Sequence, residues 1–304
     1  VAPAARGLAD DAAVVAPPLG NDLVATHDMM AEGVHFTPDC PPFDIGWRLA
    51  AANLSDLAAM GARPLAALFG AGIGEERDTG WAAAVARGLV ACLDAHGCSL
   101  IGGDTIRQQG PTSLALTALG HLPHGTALGR GGGQAGDELW VSGTIGDAGA
   151  GLAMALGQQP VVGALLRRYR RPTPRLALGL ALRGIAHAAM DVSDGLLLDA
   201  SRLAEASGLS AEIRLEAVPL ASVLVRTQGA AQAVRLAAAT SGDDYELLFA
   251  SPPDSAAAVL AAARAARTPV TLIGKLVAAG PSLVLRSADG PVPLPARLGH
   301  LHGG

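Results

Sequence analysis

Lysine is almost missing from this chain of 304 residues: Lys275 is the only one, and arginine carries the rest of the positive charge. Because that lysine stands in Ile273-Gly-Lys-Leu276, there is no Gly-x-x-x-x-Gly-Lys-Ser/Thr phosphate loop and no kinase-type glycine loop served by a strand lysine. Gly-x-Ser-x-Gly and His-Glu-x-x-His are also absent, which disfavours hydrolases built on those motifs. Cys40, Cys92 and Cys98 are odd in number and show no Cys-x-x-Cys spacing. A disulfide framework or structural zinc is therefore not expected, and a reducing cytoplasm is the simpler setting. No run of about 18 apolar residues free of Gly, Pro and charge stands out, so no membrane span or signal peptide is expected. The net charge of −5 argues against a nucleic-acid partner, which calls for a basic surface. Aromatics make up 3% of the chain.

Alanine and glycine dominate instead, and half of the residues are hydrophobic, ample for a core in two domains or one large one. Against that apolar background the acids stand out. Asn53-Leu-Ser-Asp-Leu-Ala-Ala-Met-Gly-Ala62 puts Asp56 in an otherwise nearly uncharged helix. A buried carboxylate needs a partner, and the sequence offers few cations. The alternative is an acid that faces solvent.

Short strands are expected over Ala12–Val15 and Leu23–Asp28, with Asp10-Asp11 before the first and Thr26-His27-Asp28 closing the second. Adjacent carboxylates repel each other unless water or a cation separates them, although Asp10-Asp11 alone reads as a solvated turn. A helix follows from Asp44, a candidate N-cap, to about Met60, with Gly61 just beyond it. Asn53 and Asp56 are three apart and share one face of it. A buried strand is expected over Leu65–Ile73, a helix over Thr79–His96, and a strand over Cys98–Ile101. The last runs into Gly102-Gly-Asp-Thr105, placing Asp104 where strand meets loop. Thr112–Leu122 alternates as a strand.

Arg130-Gly-Gly-Gly-Gln134 reads as a flexible boundary between domains 1–129 and 130–304, and Arg130 could reach a phosphate. Beyond it a strand is expected over Asp137–Ser142 and a small-residue helix over Gly146–Leu156. The basic run Arg167–Arg171 reads as a solvated helix end favoured by the macrodipole. Ala188–Gly195 is an apolar strand leading into Asp191-Val-Ser-Asp-Gly195 and a helix to about Ser207; Asp191 and Ser193 project to one side, and Asp194 opens the helix. A helix start suits phosphate, yet two aspartates there would repel it without metal. Ser241-Gly-Asp-Asp-Tyr-Glu-Leu247 is a further glycine-and-acid turn before a strand. A helix over Pro253–Ala266 and a strand over Val270–Val277 end the pattern. Seven acids, Asp10, Asp11, Asp28, Asp56, Asp104, Asp191 and Asp194, against one lysine favour a nucleotide site with several magnesium ions, since hard cations take carboxylate and hydroxyl oxygens.

Taken together, Asp10-Asp-Ala-Ala-Val14, Asp28–Phe36, Asn53–Ala62, Gly102–Thr105, Asp191–Gly195 and Ser241–Leu247 resemble, in order, the motifs of the thiamine-monophosphate kinase family of the PurM-like (aminoimidazole-ribotide synthetase-like) ATP-binding superfamily. The resemblance implies an N-terminal α/β domain whose mixed sheet, with helices on one face, pairs across a homodimer, and an α+β C-terminal domain. It implies ATP-dependent phosphorylation of thiamine monophosphate to thiamine diphosphate, with ATP as co-substrate. Asp10, Thr26, His27, Asp28, Asp56, Asp104, Asp191 and Asp194 would hold magnesium, with Asp28, Asp56 and Asp104 central to catalysis. Gly103, Asp104, Arg130 and Ser193 would contact ATP, and His35, Asp243 and His300 the thiamine phosphate. The chain departs from the family pattern at Ala9, where a glycine is usual, at His27 and Asp243, and at Gly299-His-Leu-His302, where an aromatic is usual. The expected chemistry is direct in-line transfer, driven by positioning and charge neutralisation. The rivals are another ATP-dependent synthetase of the superfamily and a degenerate nucleotide-binding homologue.

Overall fold

The structure is a computed structural model and describes residues 3–8, 10–278 and 280–300; Ala9, Leu301 and His302 lie outside them. The chain divides into two compact units, one of residues 1–57 and 62–125, the other of 58–61 and 126–304.

The first unit is built from a 3-10 segment (Pro3–Leu8), β1 (Asn21–Ala31), α1 (Pro42–Ala59), β2 (Arg63–Gly74), α2 (Thr79–Ala95), β3 (Ser99–Gln108) and β4 (Ser113–Pro123). Its sheet runs β1-β4-β2-β3, antiparallel except between β2 and β3. β4 shows why one face is dry. Leu114, Leu116, Ala118, Gly120 and Leu122 are buried, while the residues between them are only half-buried. This period of two is that of a strand with one covered face. α1 buries Leu49, Leu54 and Leu57 completely. It meets α2 backbone to backbone: a Cβ on Gly46 would lie 1.9 Å from the Val85 carbonyl oxygen, and one on Gly88 1.9 Å from that of Phe43. Asp78 caps α2 by accepting the Trp81 N–H at 2.6 Å.

Three expectations shift here. Ala12–Val15 forms no strand; the Val14 N–H bonds the Ala4 carbonyl instead. Asp44 lies in the first turn of α1 and not at its cap, because the helix already starts at Pro42, where a missing N–H costs nothing. Asp104 sits inside β3, since pairing with β2 continues through Gly102–Gln108.

The second unit contains β5 (Glu138–Ser142), α3 (Asp147–Ala155), α4 (Gly163–Arg170), α5 (Leu176–Leu182), β6 (Ala188–Val192), α6 (Leu196–Ala206), β7 (Ser210–Arg214), α7 (Ser222–Gln228), α8 (Gln232–Ala239), β8 (Glu246–Ser251), α9 (Ala256–Ala265), β9 (Val270–Val277), β10 (Leu283–Ser287) and β11 (Gly290–Val292). The sheet order is β11-β10-β7-β9-β5-β8-β6, with β7–β10 its parallel pair. Every residue of β6 and β8 is buried, and Leu196, Leu197, Ala200 and Leu203 of α6 join Met190, Val192 and Leu248 in one core. That packing fixes the turn between β6 and α6. The architecture is the mixed α/β, two-domain one that the motifs imply. No helix among the described residues is long and apolar enough to cross a membrane.

Candidate functional site

In the first unit, alternation along β1 leaves Leu23, Ala25, His27 and Met29 exposed and turns Thr26 and Asp28 to the more covered side. There the Thr26 hydroxyl donates to Asp56 Oδ2, and the Asp28 N–H donates to Asn53 Oδ1 at 3.2 Å. Asn53 is fully buried and is anchored by its own Nδ2, which donates to the Leu49 carbonyl at 2.9 Å. Asp56 is half-buried. Thr26, Asp28, Asn53 and Asp56 are thus brought together by one strand and one helix. His35 closes the following loop back onto β1: its Nδ1 accepts the Ala31 N–H at 3.1 Å, and its carbonyl accepts from Arg48 at 2.9 Å.

Other expected residues gather elsewhere in this unit. Asp10, Asp11, Asp94, Gly102 and Gly103 line a cleft of about 710 Å³. Asp10 is exposed and pairs with Arg6 at 2.5 Å. Gly103, at φ 155°, leaves no room for a side chain, since a Cβ would lie 1.9 Å from the Phe69 carbonyl oxygen. A groove of about 740 Å³ is lined by Asp11, His27, Gly103, Asp104, Ala115 and Thr117. His27 Nδ1 is 2.9 Å from Thr117 Oγ1 there, and Asp104 Oδ1 accepts the Thr105 N–H at 2.8 Å. Asp104 pairs across to Gly70, Gly70 to Ala115, and Ala115 to Met29. Three strand spacings, about 14 Å, therefore separate the Asp104 backbone from the strand that carries Asp28.

The second unit has its own focus at the β6–α6 turn. Asp191 is buried at the end of β6, and Asp194 lies two residues before α6 begins, so it precedes the helix instead of opening it. The Asp243 N–H donates to the Ser193 carbonyl at 2.8 Å, the Tyr245 N–H to that of Val192 at 2.8 Å, and the His300 N–H to that of Asp194 at 2.8 Å. Asp191, Ser193, Asp194, Asp243 and His300 thus converge on one turn. Asp243 and Tyr245 hold left-handed φ values of 68° and 51°, a costly conformation for residues other than glycine. Arg130 is exposed, and its carbonyl accepts from Ser207 Oγ at 3.2 Å.

Three supporting acids had no role assigned from the sequence, although Asp244 and Glu246 lie within Ser241–Leu247. Asp199 Oδ2 accepts the N–H groups of Ser193, Asp194 and Gly195, each at 3.1 Å. Burial, and then the charge of Asp194, push its carboxyl up to about 6. Asp244 accepts the N–H groups of Gly146 (2.6 Å) and Ala148 (3.1 Å) at the start of α3, and burial pushes its carboxyl up to about 8. Glu246 is wholly buried and receives Ser142 (2.6 Å), Arg168 (2.6 Å) and Arg175 (2.5 and 2.7 Å). Arg168 is therefore no solvated helix end. For Asp199 the available signal was an acid in the first turn of α6, the position from which a carboxylate captures backbone N–H groups.

The donor set fits a hard cation: carboxylate oxygens with a hydroxyl beside them, and no thiolate. Among the described residues, no three of His, Cys, Asp and Glu are grouped so as to hold a metal by themselves.

Fold and acids together define an ATP-binding class of protein. The family model described as AIR synthase related protein, N-terminal domain, matches residues 9–122, and the corresponding C-terminal domain matches 134–286. The thiamine-monophosphate kinase of Caulobacter vibrioides is 42% identical over 99% of this chain and 86% of its own length. The crystal structure of thiamine-monophosphate kinase from Stenotrophomonas maltophilia is 40% identical with a TM-score of 0.85, covering 94% of this chain and 91% of that one. A structure described as AaThiL complexed with AMPPCP and TMP is 29% identical, with a TM-score of 0.81 over 94% and 89% of the two chains. The chain belongs to the thiamine-monophosphate kinase family.

Proposed function

We propose that this protein transfers the γ-phosphoryl group of ATP to the terminal phosphate of thiamine monophosphate, giving thiamine diphosphate and ADP. The observation that carries the reading is the meeting of Thr26, Asp28 and Asp56, oxygen donors held between strand and helix in a chain of this family. The relative complexed with AMPPCP and TMP supports the same pair of substrates. Asp10, Thr26, Asp28, Asp56, Asp104, Asp191 and Asp194 would hold magnesium, which supplies neutralisation of phosphate charge between two anions. Gly103, Arg130 and Ser193 would face ATP, and His35, Asp243 and His300 the thiamine phosphate. The chain's own contribution is positioning: Asn53 fixes Asp28, and Asp199 fixes the turn that carries Ser193 and Asp194.

Residues 1–129 act in this reading as the nucleotide- and metal-binding domain and 130–304 as the second domain, in a cytoplasmic homodimer. Leu23 (51% exposed), Met29 (58%) and Leu68 (38%) leave apolar surface for a second copy on the four-stranded sheet. A coupled ADP-release assay with thiamine monophosphate, with and without magnesium, tests the proposal. ATP binding without turnover of thiamine monophosphate would overturn it.

A further inference from the structure

Arg202 stands on α6, three residues after Asp199 and eight after Asp194. One of its guanidinium nitrogens, Nη1, serves two acids at once: Asp199 Oδ1 at 3.0 Å and Asp194 Oδ2. The two acids are held differently. Asp199 is completely buried, and its other oxygen is committed to three successive backbone N–H groups, so moving it would undo the turn. Asp194 is held through its backbone, by its N–H on Asp199 and by its carbonyl under the His300 N–H. Its carboxylate can change partner while the turn stays in place.

We propose that Arg202 and a divalent cation compete for the Asp194 carboxylate, and that Arg202, keeping its hold on Asp199, sets how tightly the metal is taken there. The inference rests on the reading that Asp194 is a metal ligand. A guanidinium and a divalent ion drawn to one carboxylate repel each other, and the arginine neutralises part of the charge that attracts the metal. Arg202 is two-thirds covered, with 32% of its side chain exposed, so solvent screens this only in part. Asp199 gives the displaced arginine a place to stay, which keeps the cost of the exchange low.

The test is titration with Mn2+ alone, followed through the resonance of the free ion, on the full-length protein. Arg202→Gln removes the charge and should bind Mn2+ on the order of tenfold tighter, the effect one adjacent charge has on a carboxylate. Arg202→Lys should stay near the unaltered protein, and Asp194→Asn should lose the site. A structural role alone would weaken binding in Arg202→Gln, so equal or weaker binding there, with the site lost in Asp194→Asn, overturns the inference and leaves the metal assignment standing. Wild-type binding in Asp194→Asn overturns the metal assignment, and the inference with it. If Arg202→Gln does not fold, the unaltered protein decides through its arginine side-chain nitrogen resonances. Those of Arg202 should move on saturation with Mg2+, and unmoved signals would refute competition.

Discussion

Thr26 on β1 donates its hydroxyl hydrogen to the carboxylate of Asp56 on α1. The bond aims one half-buried acid from a rigid helix, with Asn53, one turn earlier, holding the Asp28 backbone beside it. Asp56 contributes little to the core, so its charge matters for chemistry more than for folding. Asp56→Asn should lower turnover by ~100-fold or more, the scale of one lost electrostatic contact to a developing charge. Its melting temperature should stay within a few degrees of the unaltered protein. The coupled ADP assay and a thermal melt check both halves, and near-normal turnover would remove Asp56 from the site.

Gly103 should tolerate no side chain. In Gly103→Ala the new Cβ would meet the Phe69 carbonyl oxygen at 1.9 Å, and backbone cannot step aside as a flexible side chain can. Forcing β3 away from β2 should cost about 1–3 kcal/mol, the usual cost of overpacking. Urea unfolding measures that loss, and nucleotide affinity should fall with it, because Asp104 rides on the same strand.

Much of this could be read from residues. Asn53 and Asp56 were legible as one helix face because a spacing of three fixes it, and Asp191-Val-Ser-Asp-Gly195 as strand, turn and helix because apolar runs flank it. Asp104 was not, since Gly-Gly normally interrupts a strand and only pairing with β2 carries this one through. Ala12–Val15 looked like a strand by composition and found no neighbour in the sheet. The small elements β7, β10, β11, α7 and α8 are too short to show a period, and tertiary packing decides them. The roles of Asp244 and Glu246 depend on partners far along the chain, which spacing cannot reveal, whereas Asp199 acts within its own turn and helix.

Glu246 tests the cost of a buried charge. Two arginines and one serine surround a carboxylate with no exposed side-chain surface. Arg175→Met removes two of its four hydrogen bonds and half of its compensating charge. A loss of about 3–5 kcal/mol is expected, the range for breaking a buried pair from one side. Glu246→Gln should cost less, because Arg168 and Arg175 remain partly exposed and can turn to water. Chemical denaturation of the two variants gives the order, and the reverse order would contradict this account.

Asp244 ties stability to pH. Burial raises its carboxyl from the ordinary 3.8 to about 8, against the two N–H groups that favour its charge. The folded protein thus binds this proton more tightly than the unfolded chain. The stability it contributes is complete below pH 4 and is lost as pH rises through about 8. Asp199, raised to about 6, and Asp147, raised by burial, act in the same direction. Between pH 5 and 8.5 the melting temperature should therefore fall, and Asp244→Asn, which has no proton to lose, should fall less steeply. Asparagine presents only one acceptor oxygen to Gly146 and Ala148, so the variant should also start lower at pH 5, by about 1 kcal/mol for the missing bond. Thermal melts at several pH values separate the two effects, since the lost bond lowers the whole curve and the lost proton changes its slope. Parallel curves for the variant and the unaltered protein would mean that Asp244 stays charged across this range, held by the start of α3.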